Sequence, residues 1–275
     1  MSVKLELETD SELEIDVASM LQDVQEFTQN DVQILLIKTN NSSLASVNPS
    51  YERKLWGRSM LDWVRLGLGS PAILVEDGPV LEVIRPHLED KPVTLVAFAD
   101  TPLFTPDLIG HMLRIVNSNF GQIHNFGRAF MGATKLFKSA KELPSVVDYH
   151  FKDLIFMLRV DNFVALAQAE DELRERIIYS HLKNGVHFLD RSSVQIDVDV
   201  KIGKNVEIGM SNILKGKTTI GDNVVLGIGN VVENCEIGDS VTLNYCVMKN
   251  SKLGANSVIK PYSVIENGKL IGGEK

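Results

Sequence analysis

Ile202-Gly-Lys-Asn-Val-Glu is the first of four near-identical stretches that decide the fold of the C-terminal third of this 275-residue chain. The other three are Ile220-Gly-Asp-Asn-Val-Val, Ile237-Gly-Asp-Ser-Val-Thr and Leu253-Gly-Ala-Asn-Ser-Val. Each is typical of a short strand that ends in a tight turn. The aliphatic side chain points inward, Gly permits backbone conformations that a side chain would obstruct, and Asn or Asp tolerates the left-handed conformation. Three such units per coil, stacked with their strands in parallel, predict a solenoid.

Aliphatic residues recur at every sixth position around these stretches. A chance succession of strands in a β-sandwich would instead show a period of two with variable turns. The six-residue period covers residues 192–271 and predicts roughly four coils. Its aliphatic positions are Ile196, Ile202, Ile208, Leu214, Ile220, Leu226 and Val232; after one slip the pattern resumes at Ile237 and Leu243, and then at Leu253, Ile259, Ile265 and Ile271.

This period and these residue types resemble the hexapeptide-repeat family of left-handed β-helices. The resemblance implies a homotrimer, because such helices usually associate in threes. Many members are acyltransferases that use a histidine base to deprotonate the acceptor. None of the histidines here lies within the repeats, so we expect a structural β-helix without acetyltransferase activity. The histidines are His87, His111, His124, His150, His181 and His187.

The composition is that of an ordinary globular protein, with 44% apolar and 23% charged residues and a formal net charge of −8. The acidic balance argues against general nucleic-acid binding. Cys235 and Cys246 are too few for a disulfide framework and lack metal-ligand spacing, which predicts buried thiols in a reducing cytoplasm. The first residues lack the apolar core of a signal peptide, and no apolar run approaches a membrane span, so no membrane association is expected.

The first 190 residues alternate strand and helix patterns, which indicates an α/β domain with a mostly parallel sheet. We therefore predict two domains: a shortened, Rossmann-like α/β domain over 1–190 and a left-handed parallel β-helix over 191–275. Strand patterns lie at residues 31–38, 72–75 and 93–98. Helix patterns lie at residues 60–66, 80–88, from 106 onward, and 161–182.

Three segments of this α/β part resemble the bacterial bifunctional N-acetylglucosamine-1-phosphate uridyltransferase and glucosamine-1-phosphate acetyltransferase family. Leu36 to Val64 aligns without gaps to the family's opening segment, with Gly57-Arg-Ser-Met-Leu where the family has Gly-Lys-Pro-Met-Leu. Ala99-Asp-Thr-Pro-Leu-Phe-Thr-Pro matches Gly-Asp-Thr-Pro-Leu-hydrophobic-Thr-Pro. Val160-Asp-Asn-Phe-Val-Ala-Leu-Ala-Gln-Ala-Glu matches Val-Asn-Asn-Arg-Val-Gln-Leu-Ala-Glu-Ala-Glu. The resemblance implies common ancestry with these nucleotidyltransferases.

The phosphate-binding loop of that family is altered in this chain. The family's Gly-x-Gly-Thr-Arg and following Pro-Lys place glycines, an arginine and a lysine around the nucleotide phosphates. The corresponding substrate-binding positions here are Thr39, Asn41, Ser42 and Ser43, with Ser50 in place of the lysine, so both cations are absent. Replacement would have to come from neighbouring cations, and a β-branched residue at 39 cannot take glycine's positive φ. The available cations are Lys38, Arg53, Lys54 and Arg58.

Further parts of the family's machinery are missing. The interval after Met60 lacks the Gln-Leu-Gly-Thr-Gly segment that reads the nucleobase, and Gly132 alone corresponds to the Asn-Thr-Gly that contacts the sugar. The coils that carry the acetyltransferase histidine and bind acetyl-coenzyme A are also absent from the sequence. The resemblance therefore implies that both reactions have lost parts.

One pair of carboxylates matches the family's metal site. The resemblance places a magnesium ion at Asp100 and Asp161, where the family has an aspartate and an asparagine. Two carboxylates suit such a hard cation. The alternative is that Asp100 caps the turn before Pro102 and Asp161 caps the following helix.

Two functions follow from this sequence. The leading hypothesis is a catalytically degenerate relative of the uridyltransferase, a trimeric binding or assembly protein whose former cleft takes a nucleotide sugar or sugar phosphate. The alternative is an active, shortened enzyme that makes a nucleotide sugar from a nucleoside triphosphate and a sugar 1-phosphate with Mg²⁺.

Overall fold

The computed structural model describes residues 26–41, 43–44, 49–148 and 154–272. They fall into two compact units, which we call the sheet unit and the solenoid unit. The sheet unit contains the described parts of residues 1–37, 71–97 and 106–150. The solenoid unit contains those of residues 38–70, 98–105 and 151–275. The domain boundary predicted near residue 190 stays a prediction.

The helices and the strands that precede the solenoid follow the predicted alternation. None of the helices in the described ranges is long and apolar enough to cross a membrane. The helices are α1 (Met60–Leu68), α2 (Val80–Ile84), α3 (Pro106–Ser118), α4 (Thr134–Ser139) and α5 (Phe163–Lys183). The strands are β1 (Val32–Ile37), β2 (Lys54–Leu55), β3 (Arg58–Ser59), β4 (Ile73–Val75), β5 (Val93–Phe98), β6 (His124–Asn125) and β7 (Ala129–Ala133).

The sheet unit is built on a five-stranded sheet with the order β4-β1-β5-β7-β6. The prediction of a mostly parallel sheet is wrong for one side of it. β1 and β4 are parallel, but β7 is antiparallel to both β5 and β6. β6 and β7 are joined by only three residues, with Gly127 at φ 89°, and so short a connection forces neighbouring strands to run in opposite directions. The unit is therefore a mixed α/β sheet.

The core of the sheet unit lies between this sheet and the apolar faces of its helices. α3 buries Leu108, Met112 and Val116, spaced by one turn each, as expected of an amphipathic helix packed on a sheet. A short polar chain crosses the buried sheet, because Gln33 Nε2 donates to Thr94 Oγ1 (2.6 Å) and Thr94 contacts Thr134 Oγ1 (2.8 Å). These buried polar groups are thus paired.

The solenoid unit contains the predicted parallel β-helix of about four turns. Its sheets have the orders β17-β14-β11-β8, β10-β13-β16-β19 and β21-β20-β18-β15-β12-β9. The strands are β8 (Val186–Phe188), β9 (Gln195–Ile196), β10 (Lys201–Ile202), β11 (Val206–Ile208), β12 (Ile213–Lys215), β13 (Thr219–Ile220), β14 (Val225–Leu226), β15 (Val231–Glu233), β16 (Glu236–Ile237), β17 (Thr242–Leu243), β18 (Val247–Lys249), β19 (Lys252–Leu253), β20 (Val264–Glu266) and β21 (Lys269–Gly272).

The predicted aliphatic positions stack in register along the solenoid. Ile202, Ile220, Ile237 and Leu253 pair strand to strand, and so do Phe188, Ile208, Leu226 and Leu243. The prediction is wrong for Ile271, which lies in the antiparallel strand β21 and is 60% exposed. The remaining ladder forms one continuous hydrophobic core with α5.

The turn chemistry of the four repeats is confirmed. The fourth residue of each repeat adopts the left-handed conformation: Asn205, Asn223, Ser240 and Asn256 have φ between 54° and 58°. The glycines serve close stacking of the coils, since a Cβ on Gly203 would lie 2.6 Å from the carbonyl oxygen of Gly221. In each repeat the fourth residue therefore forms the turn, while the glycine allows neighbouring coils to stack closely.

Cys235 and Cys246 are buried inside this stack as free thiols. Burial raises the pKa of the Cys235 thiol, which disfavours the reactive thiolate. The prediction of buried thiols is confirmed.

Candidate functional site

Asp100 and Asp161, the predicted metal ligands, converge on one arginine. Asp100 follows β5, Asp161 precedes α5, and the Val160 N–H donates to the Asp100 carbonyl (2.8 Å), so the two segments lie side by side. Arg159 Nε lies 3.3 Å from Asp100 Oδ2 and 3.4 Å from Asp161 Oδ2. The Asp100 side chain is 1% exposed, and that of Asp161 is 33% exposed. A cation thus already faces both carboxylates.

The alternative role predicted for Asp161, capping the helix, is wrong. Asn162 is the N-cap of α5, and its Oδ1 accepts from the N–H groups of Val164 (2.9 Å) and Ala165 (3.0 Å). Asn162 Nδ2 also donates to Asp161 Oδ1 (2.7 Å). Asp161 is therefore held by its neighbours on both sides, while the cap is supplied one residue later.

As arranged, these residues do not fit a magnesium ion. An ion shared by the two carboxylates would be repelled by the guanidinium that lies between them. Within the ranges that the structure describes, no three His, Cys, Asp or Glu side chains are grouped to hold a metal. The carboxylate pair has the right chemistry for a hard cation, but Arg159 supplies the positive charge.

The described residues of the loop that corresponds to the phosphate-binding segment close it by hydrogen bonds to one another; Ser42 lies outside the described residues. Asn41 N–H donates to Ser50 Oγ (2.7 Å), and Ser50 N–H donates to Asn40 Oδ1 (2.9 Å). Ser43 donates to Asn41 Oδ1 through both its N–H (3.0 Å) and its hydroxyl (2.7 Å). Thr39 and the loop's other described residues have no positive φ. Backbone donors that bind phosphate in a glycine-rich loop are here bound by side chains of the loop.

Two of the arginines that could replace the missing cations have other partners. Arg53 Nη1 donates to the Leu44 carbonyl (3.3 Å), and its guanidinium lies 5.4 Å from the centre of the Phe163 ring. Arg58 Nη2 lies 2.6 Å from Asp199 Oδ1, and this hydrogen bond lowers the pKa of Asp199. Both arginines therefore already have partners within the solenoid unit.

Gly132, the predicted sugar contact, lies in β7 of the sheet unit. A Cβ at this position would lie 2.9 Å from the Gln122 carbonyl oxygen and 3.1 Å from Ile123 Cα. Close backbone packing therefore accounts for the glycine, and a role toward a sugar stays a prediction.

A cavity of about 360 Å³ lies between the end of α5 and the first coil. Its lining includes Ile177, His181, Val198 and Lys201. His181 is buried, its Nδ1 lacks a hydrogen-bond partner, and burial lowers its pKa, which favours the neutral imidazole. Sequence reasoning gave no sign of this cavity.

The residue that sequence reasoning missed is Arg159. Arg159 lies two residues before Asp161 in the sequence, so the sequence alone could have indicated a cation near that predicted metal ligand. Arg159 and Asp100, by contrast, are 59 residues apart in the sequence. Their contact required the fold.

Several known bacterial proteins are similar to this chain, although no family model matches it. The bifunctional protein GlmU of Brevibacillus brevis is 35% identical over 127 residues, 46% of this chain and 28% of the relative. GlmU of Clostridium beijerinckii is 31% identical over 169 residues, 62% of this chain and 36% of the relative. GlmU of Lactobacillus helveticus is 27% identical over 269 residues, 72% of this chain and 58% of the relative.

The chain spans between 28% and 58% of the length of these relatives. The similarity agrees with the three motif segments and with the parallel β-solenoid. The predicted resemblance to the bifunctional sugar-nucleotidyltransferase family is therefore confirmed, and the chain is similar to the GlmU proteins over part of their length.

Proposed function

We propose that the chain has lost nucleotidyl transfer and acts as a trimeric binding or assembly protein, with a nucleotide sugar or sugar phosphate as its ligand. The observation that carries this proposal is the closed loop around Asn41, Ser43 and Ser50. The N–H groups of these three residues already have partners, and the arginine and lysine of the family are replaced by neutral residues. Charge-assisted hydrogen bonds contribute about 1.5–3 kcal/mol each, so the loss of two would slow the reaction by roughly 10² to 10⁴.

Catalysis is tested by measuring pyrophosphate release across nucleoside triphosphates and sugar 1-phosphates in the presence of magnesium. We expect no release above the protein-free background, because the N–H groups of Asn41, Ser43 and Ser50 are already paired and the family's arginine and lysine are replaced by neutral residues. A GlmU protein assayed in parallel serves as the positive control. Turnover that disappears in Asp100→Asn would contradict the proposal.

Ligand binding is read from the melting temperature in the same mixtures. A nucleotide sugar at 100 times its Kd adds about 2.7 kcal/mol to the stability of the folded state. We expect a clear rise with a nucleotide sugar or sugar phosphate. If none of them raises the melting temperature, the ligand part of the proposal is wrong.

The second candidate function, an active shortened nucleotidyltransferase, has one observation in its favour. Asp100 and Asp161 still converge, as the enzyme family requires of this pair. Turnover would then depend on positioning and charge stabilisation of the reacting phosphates. The pyrophosphate assay separates the two functions directly.

The proposed trimer is supported by an exposed stripe along the solenoid. Met210, Ile228, Tyr245 and Tyr262 lie in the turns that precede β12, β15, β18 and β20, and they are between 37% and 68% exposed. Tyr245 N–H donates to the Ile228 carbonyl (2.8 Å), and the Tyr245 and Tyr262 rings stack with centres 5.2 Å apart. A rigid apolar and aromatic row of this kind suits association with further copies of the chain.

Light scattering tests this assembly. We expect the wild type to have the mass of a trimer and Tyr262→Glu to dissociate it, because the substitution places a charge in a desolvated contact. Tyr179→Glu is the control, since Tyr179 is an exposed tyrosine on α5 that does not belong to the stripe. A monomeric wild type, or a Tyr262→Glu variant that stays trimeric, would contradict the stripe as the interface.

A further inference from the structure

We propose that Arg159 is a built-in cation that takes the place of a divalent metal between Asp100 and Asp161. The carboxylate pair would then be a metal-independent clamp that joins residues 98–105 to the start of α5. The inference rests on the proposed function, because a working uridyltransferase of this family would need the metal at this place.

The geometry places one guanidinium against both carboxylates. Arg159 Nε lies within 3.4 Å of an oxygen of each, and the Asp161 oxygen that faces away accepts from Asn162 Nδ2. The backbone reinforces the contact, because the adjacent Val160 N–H donates to the Asp100 carbonyl. Side chain and main chain thus connect the same two segments.

Burial argues that this contact matters more than an ordinary surface ion pair. Exposed pairs commonly contribute little to stability. The Asp100 side chain is 1% exposed, and a buried carboxylate is costly unless a cation or donors compensate it. The Arg159 side chain is half exposed, so its charge reaches Asp100 from the solvent side.

The charge balance favours arginine over a metal in this pair. Arginine carries its positive charge on the protein itself, so the clamp does not depend on metal concentration. Without it, two carboxylates would face a common point and repel each other unless a cation entered. Removal of Arg159 is therefore expected to create a metal site that the wild type lacks.

The experiment has two measurements. Electron paramagnetic resonance measures Mn²⁺ binding, and thermal unfolding gives the melting temperature in MgCl₂ and in NaCl of equal ionic strength. We expect no wild-type Mn²⁺ binding that depends on Asp100, and no Mg²⁺-specific rise in melting temperature. Arg159→Ala should melt about 3–8 °C lower and recover about 3 °C in millimolar Mg²⁺. It should also bind Mn²⁺, and Arg159→Ala with Asp161→Asn should not.

Arg159→Lys is the matched control, because it keeps a positive charge and should gain no metal binding. If Arg159→Ala fails to fold, Arg159→Gln takes its place. If only Arg159→Lys folds, and Arg159→Ala and Arg159→Gln do not, that result would also support the inference that folding requires a positive charge at residue 159.

Three results would overturn the inference. They are wild-type Mn²⁺ binding that Asp100→Asn abolishes, an Arg159→Ala variant with unchanged melting temperature, and an Arg159→Ala variant that binds no Mn²⁺. Mn²⁺ binding by an inactive wild type would contradict the clamp and leave the proposed function intact. Pyrophosphate release by a wild type that has no metal site would contradict the proposed function and leave the clamp intact.

Discussion

Leu226→Ala is expected to lower the free energy of unfolding of the solenoid unit by about 2–5 kcal/mol. Leu226 is fully buried and stacks between Ile208 and Leu243 on the neighbouring coils. Its truncation would remove apolar contacts and leave a cavity that coils held by backbone pairing cannot readily close. The loss should spread along the stack, because each coil is stabilised mainly by its neighbours.

The measurement is denaturant unfolding followed by tryptophan fluorescence. Both tryptophans, Trp56 and Trp63, lie in the solenoid unit, so the signal reports on that unit. Ile271→Ala is the matched control. The sequence period places Ile271 in the ladder, but the structure exposes it, so the change should be below about 0.5 kcal/mol. If both variants lost the same free energy of unfolding, the conclusion that Ile271 lies outside the buried ladder would be wrong.

Gly67→Ala is expected to cost about 3 kcal/mol, although alanine is the better helix former. Gly67 lies in α1, and a Cβ there would be 2.0 Å from the carbonyl oxygen of Phe104 and 2.6 Å from its carbonyl carbon. No side-chain rotation relieves a clash with backbone. Either α1 or residues 98–105 must move, and the latter carry Asp100.

Gly110→Ala provides the contrast, because Gly110 is also within a helix but, among the described residues, only Gln29 Nε2 would lie near a Cβ there, at 4.0 Å. It should gain about 0.5–1 kcal/mol from helix propensity. Calorimetry measures both variants, and a shift of about 2–4 °C is expected for each kcal/mol in a protein of this size. A Gly67→Ala variant as stable as the wild type would show that α1 can move away from Phe104 at little cost.

The solenoid could be predicted from sequence because its determinants are local. Each repeat places an inward aliphatic residue, a glycine and a turn residue within a few positions, and Asn205 and Asn223 adopt the conformation that this pattern predicts. The error at Ile271 arose because periodicity alone cannot tell a further parallel strand from one that folds back. The antiparallel part of the sheet has a related explanation. The alternation of strands and helices predicts parallel strands, but it does not reveal the short hairpin between β6 and β7.

The candidate site was predictable only in part. Family resemblance identified Asp100 and Asp161, and the structure brings them to one point. The partner that fills that point, Arg159, is close to Asp161 in sequence but reaches Asp100 only through the fold. The closed loop was also invisible, because the sequence shows which cations are lost but not that Ser50 and Asn41 bind the exposed N–H groups.

The antiparallel strand β21 has a consequence for self-association. Parallel solenoids end in unpaired strands whose free N–H and C=O groups can template the addition of further chains. β21 folds back on β20 and covers the last edge of the six-stranded sheet, with Leu270 opposite Ile265. A further coil could stack on this sheet only by displacing β21, so the strand protects this face of the solenoid against end-to-end polymerisation into fibres.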